Sequence, residues 1–139
     1  MKLKEPKYKY KQVMIIDDNE LDNFINSKII ESSLFSKKIY TNTNGKSALE
    51  FLTNLINTLG DDFVNICPDV IFIDLNMPLL DGFQFLEHLK KLNNKYLNKS
   101  KLVVLTSSAH PDDSKKSKSI NKDVIYYNKP LTADMLKSI

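Results

Sequence analysis

Residues 69–82 read DVIFIDLNMPLLDG, and this stretch decides the fold. Val70 to Ile73 is a run of four apolar residues that leads straight into a carboxylate, Asp74, and then into a loop holding Pro78 and Gly82. A run so apolar predicts a strand buried on both faces, as in a parallel sheet. An ionised group at its end is costly there unless something compensates it. The rest of the chain must therefore supply a covered sheet and a counter-charge for Asp74.

Outward from this stretch, β-type and helical patterns alternate. Val13 to Ile16 is a short apolar run ending in Asp17-Asp18. After it, Leu21, Phe24, Ile25, Ile29 and Ile30 are spaced for one face of a helix, expected to be core, with Asn19 at the N-cap position. Ile39 and Tyr40 mark a weaker strand. A second helical stripe follows the turn at Asn44-Gly45, through Ala48, Leu49, Leu52, Leu55, Ile56 and Leu59, and Gly60-Asp61-Asp62 stops it. Phe83 to Leu92 predicts a third helix with Phe83, Phe85, Leu86 and Leu89 inward. Leu102 to Leu105 predicts a fourth strand, Pro111 to Ile120 a polar helix, and Val124 to Tyr127 a fifth strand. Leu131, Met135 and Leu136 place a stripe on a short last helix. Five βα units in strict alternation imply an α/β, doubly wound, five-stranded parallel sheet with helices on both faces.

Composition fits one ordinary domain. The 139 residues are 42% hydrophobic and 27% charged, with a net charge of +3. That charge is too mild to argue for nucleic acid, and much of it sits in residues 1–11, where lysines interleave with Tyr8 and Tyr10. These read as a basic tail ahead of a domain spanning 12–139. The single Cys67 excludes an internal disulfide, fits a reducing compartment, and reads as a small hydrophobe. No run reaches membrane-spanning length, so a cytoplasmic protein without membrane contact is expected.

In an open parallel sheet the C-terminal strand ends lie along one edge, where ligands bind. Asp17-Asp18, Asp74, Thr106 and Lys129-Pro130 all fall there. Clustered carboxylates repel, and Mg²⁺ is the hard cation that supplies the counter-charge, with Lys129 as a second, movable one. Asp74 is then placed to attack phosphorus and form an aspartyl phosphate. Thr106 and Lys129 would meet the phosphoryl oxygens.

Each residue also has an ordinary reading. Asp17-Asp18 could simply cap a helix, Thr106 suits a strand, and Lys129 suits a surface. Their convergence on one edge is what argues otherwise. Ser107 and Ser108 have no histidine partner to make a nucleophile. His88 and His110 read as surface residues, and Lys115, Lys116 and Lys118 as a solvated face.

The segments IIDDNE, IFIDLNMPLLDG, VVLTSSA and YYNKP resemble the signature segments of the response-regulator receiver domain of two-component signalling, over essentially residues 12–139. The resemblance implies the flavodoxin-like strand order 2-1-3-4-5, with Asp74 as phosphoacceptor. It implies Mg²⁺ held by Asp17, Asp18, Asp74 and the main-chain carbonyl of Asn76. Thr106 and Tyr126 would form the switch, and the Lys129-Pro130 bond would be cis. The donor would be a histidine kinase or a histidine phosphotransfer protein. The protein would be a signalling switch, with only weak Mg²⁺-dependent self-phosphorylation and autodephosphorylation. No attached DNA-binding, cyclase or methylesterase domain is expected, so the expected output is a contact with a downstream protein, a phosphorylation-dependent homodimer, or phosphate passed along a relay. Two departures stand out. The stretch from Asp18 to Asp74 is long, with the extra residues expected around 54–65, and few residues follow Lys129.

Two other classes share parts of this pattern. A haloacid-dehalogenase-like phosphatase wants a second Asp where Asn76 stands and places its nucleophile first in the chain. A flavodoxin-like electron carrier wants a Ser/Thr/Gly-rich phosphate loop after the first strand, which this chain lacks.

Overall fold

The computed structural model describes residues 6–108 and 110–139. Its elements are β1 (Tyr10–Ile16), α1 (Glu20–Ser32), β2 (Ser36–Asn42), α2 (Gly45–Leu59), β3 (Val70–Ile73), α3 (Gly82–Leu92), β4 (Lys101–Thr106), α4 (Pro111–Ile120), β5 (Ile125–Asn128) and α5 (Ala133–Lys137). Short 3₁₀ segments cover Gly60–Asn65 and Leu97–Lys99. All strand pairs are parallel, in the order β2-β1-β3-β4-β5. This is the doubly wound parallel sheet that the alternating pattern predicts, in the flavodoxin-like strand order that the resemblance implies.

Side chains alternate across each strand and split the core in two. Met14, Ile16, Ile71, Ile73 and Val104 face α2 and α3, with Ala48, Leu52, Phe85 and Leu86 closing that side. Val13, Ile15, Val70, Phe72, Val103 and Leu105 face α1 and α5, against Ile30 and Leu136. Fully burying one such side chain contributes about 1.5–3 kcal/mol, so β1, β3 and β4 anchor the molecule.

The long stretch before β3 is used as expected. Helix α2 runs fifteen residues, and Gly60 ends it with φ +54, a left-handed conformation that suits glycine. The 3₁₀ segment then buries Phe63 in the core. Strand boundaries differ more. β1 begins at Tyr10, so Tyr10 and Lys11 belong to the strand rather than to a tail, and residues 1–5 lie outside the described residues. β2 is a full seven-residue edge strand, although only Ile39 and Tyr40 announce it in the sequence. β5 is shifted by one, to Ile125–Asn128.

Helix α1 corrects the sequence reading. Leu21, Phe24 and Ile25 were expected inward, yet they are 64%, 60% and 44% exposed. The face that packs on the sheet carries Asn23, Asn26 and Ile30. Asn23 Nδ2 donates to the carbonyl of Asp17 at 2.9 Å, and that bond turns the polar side of the helix inward. With Asn23 and Asn26 turned inward, the apolar stripe of Leu21, Phe24 and Ile25 faces outward.

Candidate functional site

The site forms where β1, β3 and β4 end and where the segment after β5 returns. Asp17 directly follows β1, and its N–H donates to the carbonyl of Asn42 at 3.1 Å. Asp74 directly follows β3, and its N–H donates to the carbonyl of Ile16 at 3.0 Å. The parallel register therefore sets the two carboxylates side by side. Each uses Oδ1 within its own turn: Asn19 N–H donates to Asp17 at 2.9 Å, and Asn76 N–H to Asp74 at 3.2 Å. That orients both carboxylates and leaves each Oδ2 free to face the same point.

Lys129 occupies that point. Its Nζ lies 2.6 Å from Asp17 Oδ2, 2.9 Å from Asp22 Oδ2 and 3.2 Å from Asp74 Oδ2. The lysine is brought there by strand pairing: Thr106 aligns with Asn128, and Lys129 N–H donates to the Thr106 carbonyl at 2.8 Å. The Lys129-Pro130 peptide is cis, as expected.

Asp17 and Asp74 are buried and Asp18 is exposed. One oxygen of each of these three lies within 4.8 Å of the others. Burial pushes the Asp17 carboxyl above the ordinary range, and the nearby charge of Asp74 adds to this; Lys129 and the Asn19 N–H offset only part of it. Burial opposes the charged form of Lys129, but its hydrogen bonds to Asp17 and Asp22 and the charge of Asp74 outweigh that and raise its pKa. Both shifts express an excess of negative charge in a poorly solvated space. Carboxylate oxygens in that number and spacing suit a hard divalent cation such as Mg²⁺.

Thr106 and Tyr126, the switch pair that the resemblance implies, lie on the paired strands β4 and β5. Thr106 is fully buried, and its Oγ1 accepts from Ser108 N–H at 3.2 Å. Tyr126 packs on the core beside Val104, and its buried hydroxyl has no hydrogen-bond partner among the described residues. Asn76 follows in the loop after β3 and is exposed, between the buried Leu75 and Met77.

Asp22 was not singled out in the sequence: an acidic residue in a first helical turn is ordinary, and only the fold sets it beside Lys129. The side residues behave as read: Ser108 Oγ donates to Asp113 rather than to a histidine, and His88 and His110 are exposed. Cys67 is buried, and that burial raises its thiol pKa.

Comparison with known proteins identifies the family and the fold. The family model of the response regulator receiver domain matches residues 13–139. The crystal structure of a two-component response regulator from Cytophaga hutchinsonii is 33% identical and superposes with a TM-score of 0.78, over 96% of this chain and 94% of that one. A probable methanogenesis regulatory protein, FilR2, from Methanothrix harundinacea is 28% identical over 90% of this chain and 76% of its own length. The receiver domain of the histidine kinase CKI1 from Arabidopsis thaliana, solved with Mg²⁺, shares the fold with a TM-score of 0.76 at 18% identity, over 92% of this chain and 90% of that one. Several other curated relatives are longer proteins, of which the chain spans 22% or less. Such a match along nearly the whole chain, on a sheet of this order, makes the protein a member of the response regulator receiver domain family of two-component signalling.

Proposed function

We propose that the protein accepts a phosphoryl group on Asp74, in a Mg²⁺-dependent reaction, and so switches a protein-interaction face. The observation that carries this is the meeting of Lys129 with Asp17 and Asp74 at one edge of the sheet. Asp74 Oδ2 would attack phosphorus, forming a P–O bond as the P–N bond of a phosphohistidine breaks, and the leaving imidazole takes up a proton. Asp17, Asp18 and Asp74, with the main-chain carbonyl of Asn76, would hold Mg²⁺. The ion would supply positive charge to the phosphoryl oxygens. Lys129 and Thr106 would then donate to those oxygens.

The donor would be a histidine kinase or a histidine phosphotransfer protein, and the setting the cytoplasm. Among the described residues, no helix is long and apolar enough to cross a membrane. The exposed Leu21, Phe24 and Ile25 lie on the helix that contributes Asp22 to the site, which favours a protein donor over a small phosphomonoester. Output would pass to a downstream protein or to a phosphorylation-dependent homodimer. The chain then acts as a switch, not as an enzyme of rapid turnover.

The test is mass spectrometry after incubation with Mg²⁺ and a small acyl-phosphate donor. One phosphoryl adduct is expected on the wild type and none on Asp74→Asn. Unchanged labelling of that variant would remove the assignment.

A further inference from the structure

We infer that Asp22 is a positioning residue for Lys129, a carboxylate that holds the ammonium at the mouth of the site in competition with the phosphoryl group. The inference rests on the reading of Asp74 as phosphoacceptor. A lysine ammonium has three N–H donors. Lys129 has three carboxylate partners, Asp17, Asp22 and Asp74, at 2.6, 2.9 and 3.2 Å. Two of these contacts, to Asp22 and Asp74, are hydrogen bonds and the third, to Asp17, is an ion pair, so a phosphoryl oxygen must displace a carboxylate to reach the ammonium.

The three partners are not equivalent. Asp17 and Asp74 belong with Asp18 to the cluster whose oxygens lie within 4.8 Å of one another, and Asp22 stands outside it. Asp22 is therefore the partner Lys129 can keep when a divalent cation engages the other two. It is also the one it can leave without disturbing them. Its side chain is 35% exposed, against 3% and 6% for Asp17 and Asp74, which sets it at the rim. It is also well anchored, since Asp22 N–H donates to the capping Asn19 side chain at 3.0 Å.

An acidic residue in a helix's first turn is favourable for the helix dipole alone. That role needs no lysine, whereas this contact joins residues 107 positions apart. When phosphate arrives, the ammonium must divide itself between Asp22 and the phosphoryl oxygens. Asp22 thereby sets the fraction of molecules in the phosphate-engaged arrangement, because a ligand shifts two states only by its differential affinity for them.

The experiment measures beryllofluoride affinity at saturating Mg²⁺ by ¹⁹F NMR. The proteins are the wild type, Asp22→Asn, Asp22→Glu, Lys129→Gln and the double variant Asp22→Asn with Lys129→Gln. Asp22→Ser provides a second neutral form that keeps a small polar residue in the first helical turn. Both neutral variants should bind about fivefold tighter, the scale of one partly exposed ion pair. Asp22→Glu should stay near the wild type. The gain should vanish in the Lys129→Gln background, since a residue acting through another loses its effect when that other is removed. Equal tightening with and without Lys129 would overturn the inference, leaving Asp22 as background charge. Unchanged affinity in both neutral variants would also overturn it. A wild type that binds no beryllofluoride with Mg²⁺ would instead refute the reading of Asp74, and this inference with it.

Discussion

Lys129 Nζ sits 3.2 Å from Asp74 Oδ2, although 55 residues separate the two in the chain. The contact closes the segment after β5 over the end of β3, so the last part of the fold is held by the charge of the site itself. Stability and chemistry are coupled at this point.

Replacing Lys129 by Met should therefore be costly. It leaves Asp17 and Asp74 buried without their cation, and breaking such a pair costs about 3 kcal/mol. Added Mg²⁺ should restore part of that through binding to the folded state. The pH dependence has a definite sign. The folded-state pKa of Lys129 is raised, so its stabilisation is complete below the ordinary lysine value of 10.5 and drains as pH rises above it. Urea unfolding at pH 7 and pH 11 should show the gap between wild type and variant narrowing at the higher pH. An equal gap at both would assign the alkaline loss to another group.

Asp18 is exposed and makes no ion pair with Lys129, so its removal isolates metal binding from fold stability. Asp18→Ala should weaken Mg²⁺ about tenfold, roughly 1.4 kcal/mol, and should slow labelling in parallel. Isothermal titration alongside adduct formation measures both. Full labelling in excess chelator would contradict a metal requirement.

Gly82 supports Asp74 from behind. A Cβ added there would lie 2.6 Å from the Asp74 carbonyl oxygen and 2.7 Å from Leu75 Cα, both backbone atoms that cannot swing aside. Gly82→Ala should cost about 1–3 kcal/mol by overpacking. It should also lower the labelling rate even where the protein is fully folded, because Asp74 must shift. Thermal melts and initial labelling rates separate the two effects.

Thr106→Ala tests the route of the signal. Tyr126 packs beside Val104, and its hydroxyl is buried without a partner among the described residues, an arrangement that costs free energy and favours a second position. If Thr106 moves toward the phosphoryl group, the ring can enter the space it leaves. Thr106→Ala should still accept phosphate but lose the change in hydrogen exchange across residues 111–127 that beryllofluoride induces in the wild type. A clear change elsewhere, with none in that segment, would place the output on another surface.

Much of this protein was legible in one dimension. The apolar runs of β1, β3 and β4 stand out because strands buried on both faces must be apolar throughout. The carboxylates that end two of them stand out because nothing else explains charge at the end of such a run. Parallel strands then force those ends onto one edge, which is why Asp17, Asp18, Asp74, Thr106 and Lys129 group together on the sequence alone. β2 was faint because an edge strand is half solvated and carries Lys37, Lys38 and Thr41 among its few apolar residues.

Tertiary structure decided what spacing could not. The apolar stripe of α1 looked like core, but helical periodicity identifies a face without saying which way it turns. The hydrogen bond from Asn23 to the end of β1 turned it outward. Asp22 was silent for a related reason. An aspartate in a first helical turn has an ordinary explanation, and only the return of the chain after β5 sets an ammonium 2.9 Å from it. Patterns of hydrophobicity arise from burial of whole faces and so are written along the chain. A contact between single charged atoms depends on where distant segments finally meet, and only the packed fold determines that.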